Sequence, residues 1–167
     1  VATATRFTRT AVIARLLELV ADARAADPSA IPADTIARRG LPRDPLSGAV
    51  IGFGDLEFVE TSVPTLKTGR RHYDDRYRLE VLCIAWQAGA DTFSEVDEIA
   101  EDCAELVRSV LADHPQLDRL GTGLAGVVSA TIVQVDGPNP WYTADGVGSA
   151  VRMFVEIDSR ITGGSTP

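Results

Sequence analysis

Hydrophobic and polar residues alternate with two different periods along this chain, and the switches between those periods mark out its elements. From Thr8 to Ala26, the residues Val12, Ile13, Leu16, Leu17, Leu19, Val20 and Ala23 recur at helical spacing, an apolar stripe that predicts a helix packed on something else. Thr8 or Thr10 suits its start, and Asp27-Pro28 its end, since a residue before proline avoids the α region. Pro28–Gly48 holds Pro28, Pro32, Pro42 and Pro45 and reads as an extended loop with no more than a turn at Ala33–Arg39. Connections this long serve as lids, as arms on a neighbouring subunit or as plain solvated loops. Ala49–Phe53 and Leu56–Val63 are rich in β-branched and aromatic residues and predict two short strands bent at Gly54-Asp55. Asp75–Gln87 predicts a long strand. Tyr77, Leu79, Val81, Cys83 and Ala85 share one side, with Arg76, Arg78, Glu80, Leu82, Ile84 and Trp86 on the other. Its second half is apolar on both sides, so that end is expected to be covered twice, by a helix and by either the first helix or another subunit.

After a tight break at Ala88–Asp91, Phe93–Leu111 predicts an amphipathic helix. Val96, Ile99, Ala100, Cys103, Leu106, Val107, Val110 and Leu111 form its inner face, and Thr92 with Glu95 resembles a capping box. Glu95, Glu98, Glu101, Asp102 and Glu105 crowd the outer face, where acids near a helix start gain from its dipole. Leu117–Leu124 is an exit with Gly121 and Gly123. Gly126–Asp136 and Val147–Ile161 predict two more strands, the second with Val147, Val151, Met153, Val155, Ile157 and Ile161 on one side. Gly137–Gly146, with Pro138, Pro140, Trp141 and Tyr142, reads as an extended hairpin loop. Its aromatics either fold back on their own sheet or anchor contacts with other chains. Thr162–Pro167 reads as a disordered polar tail. The predicted class is α+β: one domain over residues 1–167, with a mixed, mostly antiparallel sheet and both helices on one face.

Composition narrows the function. The net charge is −8 and the pI about 4.7, which argues against a general nucleic-acid binder. Arginine almost wholly replaces lysine, a sign of a GC-rich source genome. The only dense basic cluster, Lys67, Arg70, Arg71 and His72, lies in the loop Pro64–Asp74. It is either a solvated hairpin tip or a contact with an acidic partner or a phosphate backbone. Val1–Thr10 lacks the apolar run expected of a signal peptide, the absent initiator Met suggests processing or trimming, and no apolar run approaches the roughly 20 residues of a membrane span. Cys83, Cys103, His72 and His114 make a zinc set by count, but none are spaced as ligand pairs, so no metal or other cofactor is expected. The glycines at 48–54 do not form a dinucleotide motif, and no phosphate loop, nucleophile elbow or other catalytic motif occurs. An enzyme is not expected.

Three stretches carry a family resemblance. The strand Asp75-Arg76-Tyr77-Arg78-Leu79-Glu80-Val81-Leu82-Cys83-Ile84-Ala85-Trp86 runs through Gly89-Ala90-Asp91 into the helix Val96–Asp113. That helix ends in Leu111-Ala112-Asp113-His114-Pro115-Gln116-Leu117. The closing strand Gly148–Ile161 has the core Ala150-Val151-Arg152-Met153-Phe154-Val155-Glu156-Ile157. Together these resemble the tail terminator (head-proximal tail-completion) proteins of long-tailed phages, in particular those of actinobacterial siphophages. The likeness spans nearly the whole chain, and the two long loops depart from it.

The resemblance implies a virion protein of the tail neck, assembled in the bacterial cytoplasm, that forms a ring, commonly a hexamer. Such a ring caps the head-proximal end of the tail tube, stops its polymerisation and meets a connector or stopper protein. DNA then passes through without specific binding, and the acidic helix face is either a candidate lining for that lumen or a plain solvated face. Lys67, Arg70, Arg71, His72, Trp141 and Tyr142 become candidate contacts with other subunits. The alternatives are another neck or minor tail-completion protein, or a small-molecule-binding α+β module.

Overall fold

The sequence pattern resolves into two helices and five strands, in the order α1 (Arg9–Ala26), β1 (Ile36–Arg39), β2 (Gly48–Ser62), β3 (His72–Ala88), α2 (Ser94–Asp113), β4 (Val127–Thr143) and β5 (Gly146–Thr162). The computed structural model describes residues 9–42, 48–62, 72–89 and 93–162. The strands form one sheet in the order β1-β2-β3-β5-β4; all neighbours are antiparallel except β1, which runs parallel to β2. The fold is α+β, as its periodicities predict.

One sheet face carries the core. Leu79, Val81 and Cys83 of β3 and Met153, Val155 and Ile157 of β5 are all buried, as alternation in a one-sided strand requires. Both helices close this face. Val12, Ile13, Leu16, Leu19 and Val20 of α1 meet Val96, Ala100, Cys103, Val107 and Val110 of α2 in the same apolar cluster. Phe93 occupies the N-cap of α2 without any side-chain capping bond. Tertiary burial of the apolar stripe supports this helix start; Thr92, on which the expected capping box depends, lies outside the described residues. Thr10 is already inside α1, so it does not cap it, and Thr8 is also outside the described residues. The expected bend in β2 is a register shift between Phe53 and Leu56, with a second between Phe58 and Glu60.

Three expectations are corrected. The first concerns residues 28–48, where Ile36–Arg39 is a strand paired with Val50–Phe53. Arg24 sets it in place by donating to the carbonyls of Thr35 (2.8 Å) and Ala33 (2.9 Å). A run of Ile-Ala-Arg-Arg has no alternation of its own, so tertiary pairing decides its state. The second concerns residues 137–146, which form no extended loop. β4 continues to Thr143 and β5 begins at Gly146, leaving a turn at residues 144–145. Pro138 and Pro140 are tolerated because β4 is the sheet edge, where a missing N–H need not break a ladder.

The third correction concerns the second cover of β3. α1 lies on the same face as α2, so it does not supply that cover. On the opposite face residues 40–42 cross β2, not the apolar end of β3: Pro42 and the Gly40 carbonyl sit where a side chain on Gly52 would be, and Leu41 sits over Gly54. Val50 is buried, while Leu82, Ile84 and Trp86 remain half-buried. Gly52 and Gly54 thus serve close approach of another segment.

Candidate functional site

The outer face of α2 assembles the acids singled out in the sequence. Glu95, Glu98, Glu101, Asp102 and Glu105 are all exposed, because the inner positions between them are taken by the core. Glu105 pairs with Arg108 at 3.4 Å, one turn away. Asp102 and Glu105 also line a groove of about 500 Å³ between the helices, with Asp22 and Asp27 on its α1 side. Arg119 holds the Asp22 carboxyl below the usual range through bonds of 2.6 and 3.1 Å. Asp27 is lowered as well, chiefly by the Ser29 hydroxyl at 2.7 Å and also by the Ser29 backbone N–H. A general acid working near neutral pH needs the opposite shift.

The opposite sheet face has two halves. Toward the ends of β3 and β5 that pair His72 with Thr162, a cross-strand ladder of ion pairs covers it. Arg76 bridges Glu60 (3.0 Å) and Asp158 (3.1 Å), Arg78 meets Glu156 (3.0 Å), Arg152 meets Glu80 (2.8 Å) and Arg160 meets Asp74 (2.8 Å). Arg76 and Arg160 have their pKa raised, first by the hydrogen bonds to Asp158 and Asp74 respectively. The sequence placed Arg76, Arg78 and Glu80 on the outward side of their strand. Their register, and hence their partners, required the pairing of β3 with β5. The other half is apolar, with Leu82, Ile84, Trp86, Trp141 and Phe154 half-buried.

Trp141 and Tyr142 are neighbours on β4 and so face opposite ways. The Trp141 ring lies over Gly148 of β5, in the space a side chain there would need. Tyr142 is on the helix side, 67% exposed, with its ring 4.1 Å from that of Phe93. The two aromatics therefore do not form one patch. Of the basic cluster, Lys67, Arg70 and Arg71 lie outside the described residues. His72 is the first residue of β3, paired with Thr162 through the backbone, and its side chain is likewise outside them.

Cys83 and Cys103 are both fully buried in the core. Burial pushes both thiols up, Cys103 to about 12 and Cys83 well above its ordinary value, which is the reverse of a ligand or nucleophile. Among the described residues no group of three or more His, Cys, Asp or Glu could hold a metal ion. No described helix is long and apolar enough to cross a membrane.

No protein-family model and no curated protein matches the sequence. Among solved structures, a chain from the virion of a native gene transfer agent particle is similar at 15% identity and a TM-score of 0.47, over 95% of this chain and 100% of that one. A chain from the cryo-EM structure of an extracellular contractile injection system, its sheath/tube terminator in the extended state, is similar at 14% identity and a TM-score of 0.36. That match spans 89% of this chain and 57% of that one. Both TM-scores lie below 0.5, so neither likeness bears on function.

Proposed function

We propose that the chain is a structural tail protein: a terminator that forms a ring on the head-proximal end of a phage tail tube, stops its growth and presents a surface to the neck. The reading rests on the resemblance carried by the strand, the helix and the closing strand. The observation that supports it is their arrangement, since β3, α2 and β5 pack on one another as the centre of the fold. The exposed acids of α2 suit a lumen past which DNA slides, because like charge prevents the phosphate neutralisation on which nucleic-acid binding depends. The described site residues suit presentation of surfaces more than bond-making chemistry.

The test is assembly. The purified full chain, imaged by negative stain and weighed in solution, is expected to form closed rings, of six by the resemblance alone. Added to purified tail tubes, it is expected to decorate one end only and to halt elongation. A chain that stays monomeric at high concentration and leaves tube ends bare would sink the proposal.

A further inference from the structure

Two stretches of strand edge lack a neighbour among the described residues. On one side of the sheet, β1 pairs with β2 only from Val50 to Phe53, so the outer side of β2 beyond Phe53 carries no partner strand. On the other side, β4 is itself the edge. Such rows of unpaired N–H and C=O groups are templates for another strand. Both stretches lie at the same level of the sheet. Glu57 of β2 is in one row with Arg78, Glu156 and Thr131 of β4, and Phe58 is in one row with Tyr77, Ile157 and Ala130.

Direction and surface chemistry also match. β2, β3, β5 and β4 alternate in direction. A second copy placed beyond β4 in the same orientation therefore presents its β2 antiparallel to β4, and the alternation continues. Exposed large hydrophobics concentrate on these two edges: Phe58 (50%) and Val59 (44%) on β2, and Val128 (38%), Val133 (46%) and Val135 (40%) on β4. Val59, Val128 and Val133 each fall at a register shift, a device that breaks a flat edge and so restricts which strand can add there. Pro138 and Pro140 withdraw their N–H groups from the far half of β4. Val135 and Asp136 are level with Phe53 and Gly52, where β1 already pairs, so the usable stretch is residues 128–134, the level that faces the unpaired part of β2.

We infer that the β4 edge of one copy docks on the unpaired outer edge of β2 in the next, a head-to-tail junction that extends the sheet from subunit to subunit. The occupant is a second copy of this chain. This inference rests on the ring reading above and names the surfaces that make the ring. The junction is heterologous, since each subunit gives one edge and receives the other, and such junctions generate rings when the rotation closes.

The experiment uses the full chain, weighed by sedimentation across a concentration range. Val59→Lys places a charge on the β2 edge, and Val133→Lys places one on the β4 edge. Each variant alone is expected to associate at least about tenfold more weakly, corresponding to 1.4 kcal/mol or more, with unchanged circular dichroism. An equimolar mixture is expected to regain a dimer, since one undamaged junction can still form between the two variants. A second measurement is independent of any folding defect. Cysteines introduced by Glu57→Cys or Glu60→Cys together with Ser129→Cys or Thr131→Cys are expected to give an intermolecular disulfide ladder on mild oxidation. Rings that persist in both lysine variants, with no ladder from any cysteine pairing, would overturn the junction while leaving the ring itself standing. A wild-type chain that stays monomeric throughout removes both.

Discussion

Leu117 holds a φ of 51°, a left-handed angle that costs a non-glycine residue about 1–2 kcal/mol. Its side chain is fully buried and its carbonyl accepts a bond of 2.9 Å from Arg15, so packing and a hydrogen bond hold the residue in place. Leu120 has a similar φ of 54° yet is 96% exposed; nothing in the structure explains it. Burial acts on Cys83 and Cys103 through their ionisation. Both folded-state pKa values are raised, so both thiols stay protonated and their contribution to stability is complete below the ordinary value of 9.0. That contribution is lost as pH rises from there through about 12 for Cys103. Native protein at pH 8 is expected to leave both thiols unmodified by an aromatic disulfide reagent over hours, with two equivalents reacting once urea is added. Rapid labelling of the native state would contradict the burial. The sequence made this legible: two cysteines at inward positions of a strand and a helix read as small core residues, and they are.

Among the elements, the inward positions of α1, α2, β3 and β5 were legible because a single periodicity runs through each. β1, the strap over β2 and the length of β4 were not, and for different reasons. The four residues of β1 are too few to show a period and owe their state to β2 and to Arg24. The prolines and glycine at 137–140 imitate a loop because sequence alone does not tell an edge strand from an interior one. The strap left a trace in Gly52 and Gly54, whose role as close-approach positions appears only with residues 40–42 above them. A methyl group on Gly52 would lie 2.7 Å from Pro42 Cδ and 2.9 Å from the Gly40 carbonyl oxygen. Gly52→Ala is therefore expected to displace the strap and to destabilise the fold by about 1–3 kcal/mol. Urea denaturation measures the loss, and faster proteolytic cleavage near residue 42 marks its place; unchanged stability and cleavage would show that the strap does not bear on β2.

At the scale of the whole molecule, charge is divided by face. The sheet face away from the helices offsets its acids with arginines in pairs, whereas the acids of α2 are offset, among the described residues, by Arg108 at Glu105 alone. Among the described residues the least offset acids are therefore those of α2. The acidic helix was legible in the sequence, and so was the outward side of Arg76, Arg78 and Glu80; the neutralisation within the ladder was not, because it depends on register. Replacing Glu98, Glu101 and Glu105 together by Lys is expected to leave assembly intact while creating DNA retention. In a mobility-shift assay that retention should weaken with salt by a log–log slope of about −0.9 per phosphate contacted. An absence of any DNA effect in assembled particles would take α2 out of the lumen.

The stacking of Trp141 on Gly148 has an optical consequence. The chain has two tryptophans, and the second, Trp86, is the cross-strand partner of the same Gly148. All indole emission therefore originates from one row at one end of one sheet face. Intrinsic fluorescence is a local gauge of that end, where the face is apolar and half-buried. Docking there moves the emission to shorter wavelength, whereas events at the ion-pair ladder leave it unchanged.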